Sequence, residues 1–187
     1  MSVRLEREGA VAHLLIDRPG KRNAMTLEMW QAIPALVEQA VGDRDVRALV
    51  IRAAASGPFC AGADLGEILD RKDDPAWLAE SQAAINRTQR AVARASLPTL
   101  AFVEGDCIGG GCGLAVACDL RVATPAARFA VTPAKLGLVY PLHDVKLLVD
   151  LIGPGQAKRL IYTGTIIDAP DAERIGLVEP SQAAHLN

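Results

Sequence analysis

Thr99-Leu-Ala-Phe-Val103-Glu-Gly-Asp-Cys-Ile108-Gly109-Gly110-Gly111-Cys112-Gly113-Leu114-Ala-Val-Ala-Cys118 carries the pattern that decides the fold. Leu97-Pro98 sets its start, and residues 99–103 read as a short buried strand that turns through Glu104-Gly105. After the glycine triplet, Leu114 to Cys118 is apolar and small, which predicts a buried helix running away from the triplet. A helix that begins on glycines leaves several N–H groups without intrahelical partners, and such an end attracts negative charge. Close packing of the helix on its sheet explains the same glycines equally well. The spacing is not G-x-G-x-x-G, because position 114 is Leu, and no Lys-Ser/Thr pair follows. Dinucleotide and nucleoside triphosphate sites are therefore excluded.

Working outward, Leu120 to Ala123 reads as the next strand, and the same alternation runs through the chain. Val3 and Leu5, then Val11 to Ile16, predict an N-terminal hairpin turning at Gly9. A helix is expected from the N-cap Thr26, carrying Leu27, Trp30, Ile33, Val37 and Val41 inward, with a bend at Pro34. Val46 to Ile51 predicts a buried strand. Asp74-Pro75 opens the clearest helix, with Trp77, Ser81, Ile85, Thr88, Val92 and Ala95 at helical spacing up to Ser96. Leu142 to Ile152 and Gln156 to Tyr162 predict two helices separated by Gly153-Pro154-Gly155. Strands alternating with helices place the chain in the α/β class, as one domain over residues 1–187.

Composition narrows the function. Of 187 residues 50% are apolar, and 20 basic against 22 acidic residues give a net charge of −2 with no basic face, so nucleic acid is not an expected partner. No run of about 18 apolar residues is present to span a bilayer, and the N-terminus does not read as a secretory leader, so a soluble cytoplasmic protein is expected. Cys60, Cys107, Cys112 and Cys118 lack C-x-x-C spacing, and His13, His143 and His185 form no ligand motif; no metal is expected.

A second glycine feature is Phe59-Cys60-Ala61-Gly62-Ala63-Asp64-Leu65, where small residues allow close approach to the backbone. It precedes a short helix expected through Glu67 and Leu69. Arg18-Pro-x-x-x-Asn23-Ala24, this segment, Gly109-Gly-Gly-Cys112 and Cys118-Asp119 occur in an order and spacing that resemble the crotonase (enoyl-CoA hydratase/isomerase) superfamily. Phe129, Leu136-Gly137, Thr163-Gly164 and Ala172-x-x-x-Gly176-Leu177-Val178 extend the resemblance over nearly the whole chain. It implies a spiral of ββα turns and an acyl-CoA thioester as substrate. Two backbone N–H groups, those of Ala63 and Gly110, would form an oxyanion hole for the thioester carbonyl, a device whose loss typically costs ~3 kcal/mol per donor. Lys21, Arg22, Ala24, Ala61, Asp64 and Leu65 would lie along the CoA moiety, although Lys21 and Arg22 equally suit a solvated turn. No cofactor is implied beyond coenzyme A as part of the substrate. The family also implies a homo-oligomer, trimer or hexamer.

The chain departs from the family pattern where hydratases carry two glutamates: those places hold Gly113 and Pro133. Activating water and returning a proton needs such acids, so the departure points to a lyase or isomerase reaction other than simple hydration. Phe129-x-x-Thr132-Pro133-x-x-Leu136-Gly137-x-x-Tyr140 resembles methylmalonyl-CoA decarboxylases, with Tyr140 at an active-site position; a core or interface tyrosine is the other reading. Those decarboxylases carry a histidine at the place of Ala63 and a glutamate at that of Gly113. Loss of CO₂ leaves an enolate without a base at carbon, which suits a site lacking both acids. His143 and Asp144 are expected at a helix start, where they are further candidates for proton handling or, in the plainer reading, a surface residue and the helix N-cap; Glu104 and Asp106 are expected as solvated or interface residues. Family members continue past Gly176-Leu177-Val178 with a helical segment that closes the pocket and joins subunits; this chain ends at Asn187, so that segment is expected to be absent and assembly weaker. A catalytically silent thioester-binding protein, or a hydrolase using the Cys112 thiol, are the competing classes.

Overall fold

The computed structural model describes residues 2–180; His185 lies outside them. The N-terminal hairpin forms as β1 (Val3–Glu8) and β2 (Val11–Ile16), antiparallel, with Glu8 opposite Val11 and Gly9 at φ 58°. A positive φ at the turn is what glycine supplies without steric cost. Helix α1 (Leu27–Gly42) follows, capped by the Thr26 hydroxyl, which accepts from the Met29 amide. It continues through Pro34 as one helix. Its inward face is Met29, Trp30, Ile33, Val37 and Ala40, whereas Val41, expected inside, is 37% exposed. The true stripe runs one residue earlier because Ala40 continues the 33-37 row.

Strand β3 (Ala48–Ala53) begins two residues later than expected. Helix α2 (Leu65–Asp70) is short, and α3 (Pro75–Ala93) starts where Asp74 caps it, its side chain accepting from the Trp77 amide, and stops before Ser96. Strand β4 (Thr99–Val103) leads to β5 (Asp106–Ile108), and α4 (Gly110–Val116) starts inside the glycine triplet, earlier than expected. Strands β6 (Leu120–Ala123) and β7 (Arg128–Ala130) precede α5 (Leu142–Thr163), which is broken at Gly153, where φ 74° and ψ 161° are non-helical. The two helices expected there are thus joined end to end. Strand β8 (Ile167–Asp168) and α6 (Ala169–Arg174) are the last elements among the described residues.

Two sheets organise these elements. The larger has the order β1-β2-β3-β4-β6, parallel from β2 onward, and the smaller is β5-β7-β8. Parallel pairing needs crossovers, which α1 and α3 provide on one face while packing on each other. Trp30, Phe59, Phe129, Leu14, Ile16 and Leu49 are among the largest fully buried side chains of the shared core. Asp119 explains its place beside Cys118: its carboxylate accepts from the Thr99 amide and hydroxyl, both at 2.8 Å, locking β4 to the end of α4. Buried Arg121 donates to the carbonyls of Cys118 at 2.6 Å and Leu177 at 2.8 Å, which anchors the C-terminal turn to β6. Among the described residues no helix is long and apolar enough to cross a membrane.

Candidate active site

Three strand-like segments meet where the sequence places its two glycine features. Residues 60–64 are the middle one. On one side, Met25 donates to Gly62 O at 2.8 Å, Asp64 to Met25 O at 2.9 Å and Ala61 to Arg22 O at 3.1 Å. On the other, Cys60 donates to Asp106 O at 3.0 Å and Ile108 to Cys60 O at 2.9 Å. Lys21, Arg22, Ala24, Ala61, Ala63, Asp64 and Leu65 are thereby brought onto neighbouring segments, with Lys21, Arg22 and Leu65 exposed. This pairing uses the amides of Met25 and Asp64 and leaves that of Ala63 over. Gly110 is the first residue of α4, so its N–H has no helical acceptor. Neither the Ala63 nor the Gly110 amide has a hydrogen-bond partner among the described residues.

The two amides lie side by side. A Cβ built on Gly62 would be 3.3 Å from the Gly110 nitrogen, and one built on Gly110 would be 3.7 Å from the Ala63 nitrogen. Glycine is required in this crossing for steric reasons: a Cβ on Gly111 would stand 2.3 Å from the Cys60 carbonyl oxygen. The Trp30 indole closes one side, with Cζ2 3.2 Å from the place of a Gly110 Cβ. The arrangement can offer two fixed N–H donors to one oxygen, in the low-dielectric setting where such donors act most strongly.

The supporting loop is held by ion pairs. Arg18 bonds both the Asp64 carboxylate and the Ala24 carbonyl, the latter at 2.9 Å. The other Asp64 oxygen caps α2 through the amides of Gly66 at 2.8 Å and Glu67 at 3.2 Å. The Arg18 guanidinium beside Asp64 holds this carboxyl below the usual carboxylate range, with the α2 amides assisting. Asp106, expected as a solvated or interface residue, is 6% exposed and pairs with both Arg22 and Arg128. Two guanidiniums from separate segments neutralise it, so it can be buried. Arg22 and Asn23 both adopt left-handed φ, at 52° and 56°, and Asn23 secures the turn by accepting from the Arg18 amide at 2.8 Å.

The side-chain space at Gly113, one turn into α4, is filled from other elements. A Cβ there would meet Gln89 Nε2 at 2.4 Å and the Tyr140 hydroxyl at 3.2 Å. The structure thus brings Tyr140 against α4. Burial pushes its phenol well above the usual tyrosine range, with Cys112 and Asp144 adding to the effect. Asp144 does not cap α5: Pro141 occupies that position, and Asp144 instead turns inward, 4% exposed. Burial raises its carboxyl to about 6, against a smaller opposing effect of Gln89. Gln89 is missed by motif reading; the available signal was its place four residues after Ile85 on the inward face of α3.

Cys112 is 1% exposed, inside the core beside Cys107, and Cys60 and Cys118 are pushed up to about 12 by burial. Among the described residues no group of three or more His, Cys, Asp or Glu could hold a metal ion. A concavity of about 480 Å³ lies elsewhere, between β6 and α6 beside Ala123, Ala169 and Val178. It contains none of the residues gathered around Ala63 and Gly110, and the unpaired amides, not the size of that groove, locate the candidate site.

The enoyl-CoA hydratase/isomerase family profile matches residues 6–184. The chain belongs to this family. It is 34% identical over 187 residues to a short-chain-enoyl-CoA hydratase of Clostridium acetobutylicum, covering 97% of this chain and 70% of that protein. It is 35% identical over 174 residues to a crotonyl-CoA hydratase of Syntrophomonas wolfei, covering 93% and 66%. A crystal structure of an enoyl-CoA hydratase/isomerase family protein from Hyphomonas neptunium superposes with a TM-score of 0.93 at 38% identity, over 96% of this chain and 68% of the other. The family member described here therefore spans about two thirds of the length of these relatives. The expected crotonase-type α/β fold is the one observed.

Proposed function

We propose that this chain binds an acyl-CoA thioester and stabilises its enolate with the backbone N–H groups of Ala63 and Gly110. The observation that carries this reading is the side-by-side placement of two amides without partners, on segments held rigid by their neighbours. The CoA moiety would run along Lys21, Arg22, Ala24, Ala61, Asp64 and Leu65, and no further cofactor takes part. Assembly into a trimer or hexamer would follow the family. Such donors stabilise the charge that develops on the thioester oxygen more than they stabilise the ground state, and so lower the barrier.

The reaction we assign is decarboxylation or isomerisation. Gly113 and Pro133 carry no acid, and Tyr140 supplies the proton that the enolate carbon finally takes. A malonyl-type thioester should therefore be turned over faster than crotonyl-CoA is hydrated. Product analysis by mass spectrometry on crotonyl-, malonyl-, methylmalonyl- and 3-enoyl-CoA tests this. Gly110→Pro removes one donor and should abolish turnover, and Tyr140→Phe should lower kcat with KM nearly unchanged. Rapid hydration of crotonyl-CoA that is indifferent to Tyr140→Phe would overturn the assignment of the reaction. Full activity in Gly110→Pro would overturn the amide pair. The second reading, a hydratase drawing on another acid, is favoured by one observation, the buried Asp144 carboxyl.

A further inference from the structure

Asp144, Gln89 and Tyr140 come from separate parts of the chain and share one buried space beside the first turn of α4. Asp144 Oδ1 and both amide atoms of Gln89 are buried and make no hydrogen bond of full geometry among the described residues, although Gln89 lies near enough to Asp144 to act on its carboxyl against burial. Gln89 is 0% exposed. Unpaired buried polar atoms are costly, and each calls for an explanation, a catalytic role being one. Asp144 stands in the first turn of α5, where a carboxylate usually caps the helix, yet it makes no such bond and Pro141 is the N-cap. Gln89 stands on the inward face of α3 and points at the place of a Gly113 Cβ, as the Tyr140 hydroxyl does.

We propose that Asp144 is the proton reserve of the enolate site, a positioning residue acting through the Tyr140 hydroxyl, with Gln89 bordering the same space. This rests on the enolate reading above and adds the origin of its proton. In a decarboxylation the carbon–carboxylate bond breaks, CO₂ leaves, and the electron pair passes to the thioester oxygen. The Tyr140 O–H proton then goes to the enolate carbon, the Asp144 carboxyl proton goes to the Tyr140 oxygen, and Asp144 recovers a proton from solvent. The groups that set this balance are Gln89 from α3, Cys112 from α4, Cys107 from β5 and Tyr140 itself. Burial lowers the pKa of the neighbouring His143, and the charges of Arg90 and Arg94 on α3 add to the effect. Asp144 keeps its proton up to a pH of about 6 because it is buried.

Asp144→Asn tests the assignment in the full chain. With malonyl-CoA, kcat should fall about 10²-fold, the size usual for loss of a general acid, with KM within about twofold. The pH–rate limb near 6 should disappear, and Asp144→Glu should restore it in part. Unchanged kcat and an unchanged limb in Asp144→Asn overturn the proposal. An infrared band of a protonated carboxyl, assigned by its loss in Asp144→Asn, provides a readout without turnover. It should titrate near pH 6 and shift when acetyl-CoA is added. A band indifferent to acetyl-CoA, with binding verified by calorimetry, overturns the role of Asp144 and leaves the amide pair standing. Absence of acetyl-CoA binding overturns both.

Discussion

Gly111→Ala probes the crossing on which the candidate site depends. The added Cβ would lie 2.3 Å from the Cys60 carbonyl oxygen, 2.7 Å from Cys60 Cβ and 3.0 Å from its carbonyl carbon. Ordinary contact needs at least about 3.4 Å, so α4 and residues 60–63 must part by roughly 1 Å, with an overpacking cost of about 1–3 kcal/mol. The Cys60 carbonyl also accepts the Ile108 amide at 2.9 Å. Moving it weakens that bond, which adds about 1 kcal/mol. The sum, about 2–4 kcal/mol, corresponds to a loss of about 4–16 °C in Tm for a chain of this size. A 1 Å separation of the Ala63 and Gly110 amides should also lower turnover about 10²-fold. Gly155→Ala is the matched control, since nothing lies within 4 Å of its Cβ position. It lies inside α5, so alanine should be neutral or stabilising by up to about 1 kcal/mol. Differential scanning calorimetry of both variants, with thioester turnover alongside, measures each quantity. A Gly111→Ala protein that melts within 1 °C of the parent, at about the resolution set by a few tenths of a kcal/mol, would refute the steric account.

Two further outcomes concern carboxylates and pH. Asp64 has a folded pKa below its usual value, so its contribution is present above about pH 4 and is lost as pH falls through the folded value. Asp64→Asn should therefore destabilise by about 1–2 kcal/mol at pH 7, through the Arg18 pair and the α2 cap, and the difference should shrink in denaturant titrations as pH falls below the usual carboxylate range. Asp144 behaves oppositely, because its folded pKa of about 6 lies above the unfolded value. The stability it retains below about pH 4 is lost as pH rises through 6, so Asp144→Asn should raise stability by about 1–3 kcal/mol at pH 8 and little at pH 4. Equal Tm differences at both pH values would count against a buried, strained carboxyl.

Local sequence determined most of the elements, because caps and periodicity act over a few residues. Thr26 and Asp74 start their helices as N-caps, Gly9 turns the hairpin, and Gly153 breaks α5. The short distances around Gly111 explain why that position tolerates no side chain, yet the sequence alone left close packing and anion binding equally open. Contact between α4 and residues 60–63 decided the close packing and set two unpartnered amides at the same place, and it depends on how β5 pairs with residue 60. The sheet β5-β7-β8 was illegible because strands of three, three and two residues carry no readable alternation. Asp106 read as a surface acid because its partners Arg22 and Arg128 come from distant segments, and only their convergence makes its burial possible. The same holds for Asp144: its place in a first turn predicted a cap, and the fold instead set it against Gln89 and Tyr140. Periodicity is a property of neighbours along the chain, whereas a shared buried space between α3, α4 and α5 exists only after those helices have packed.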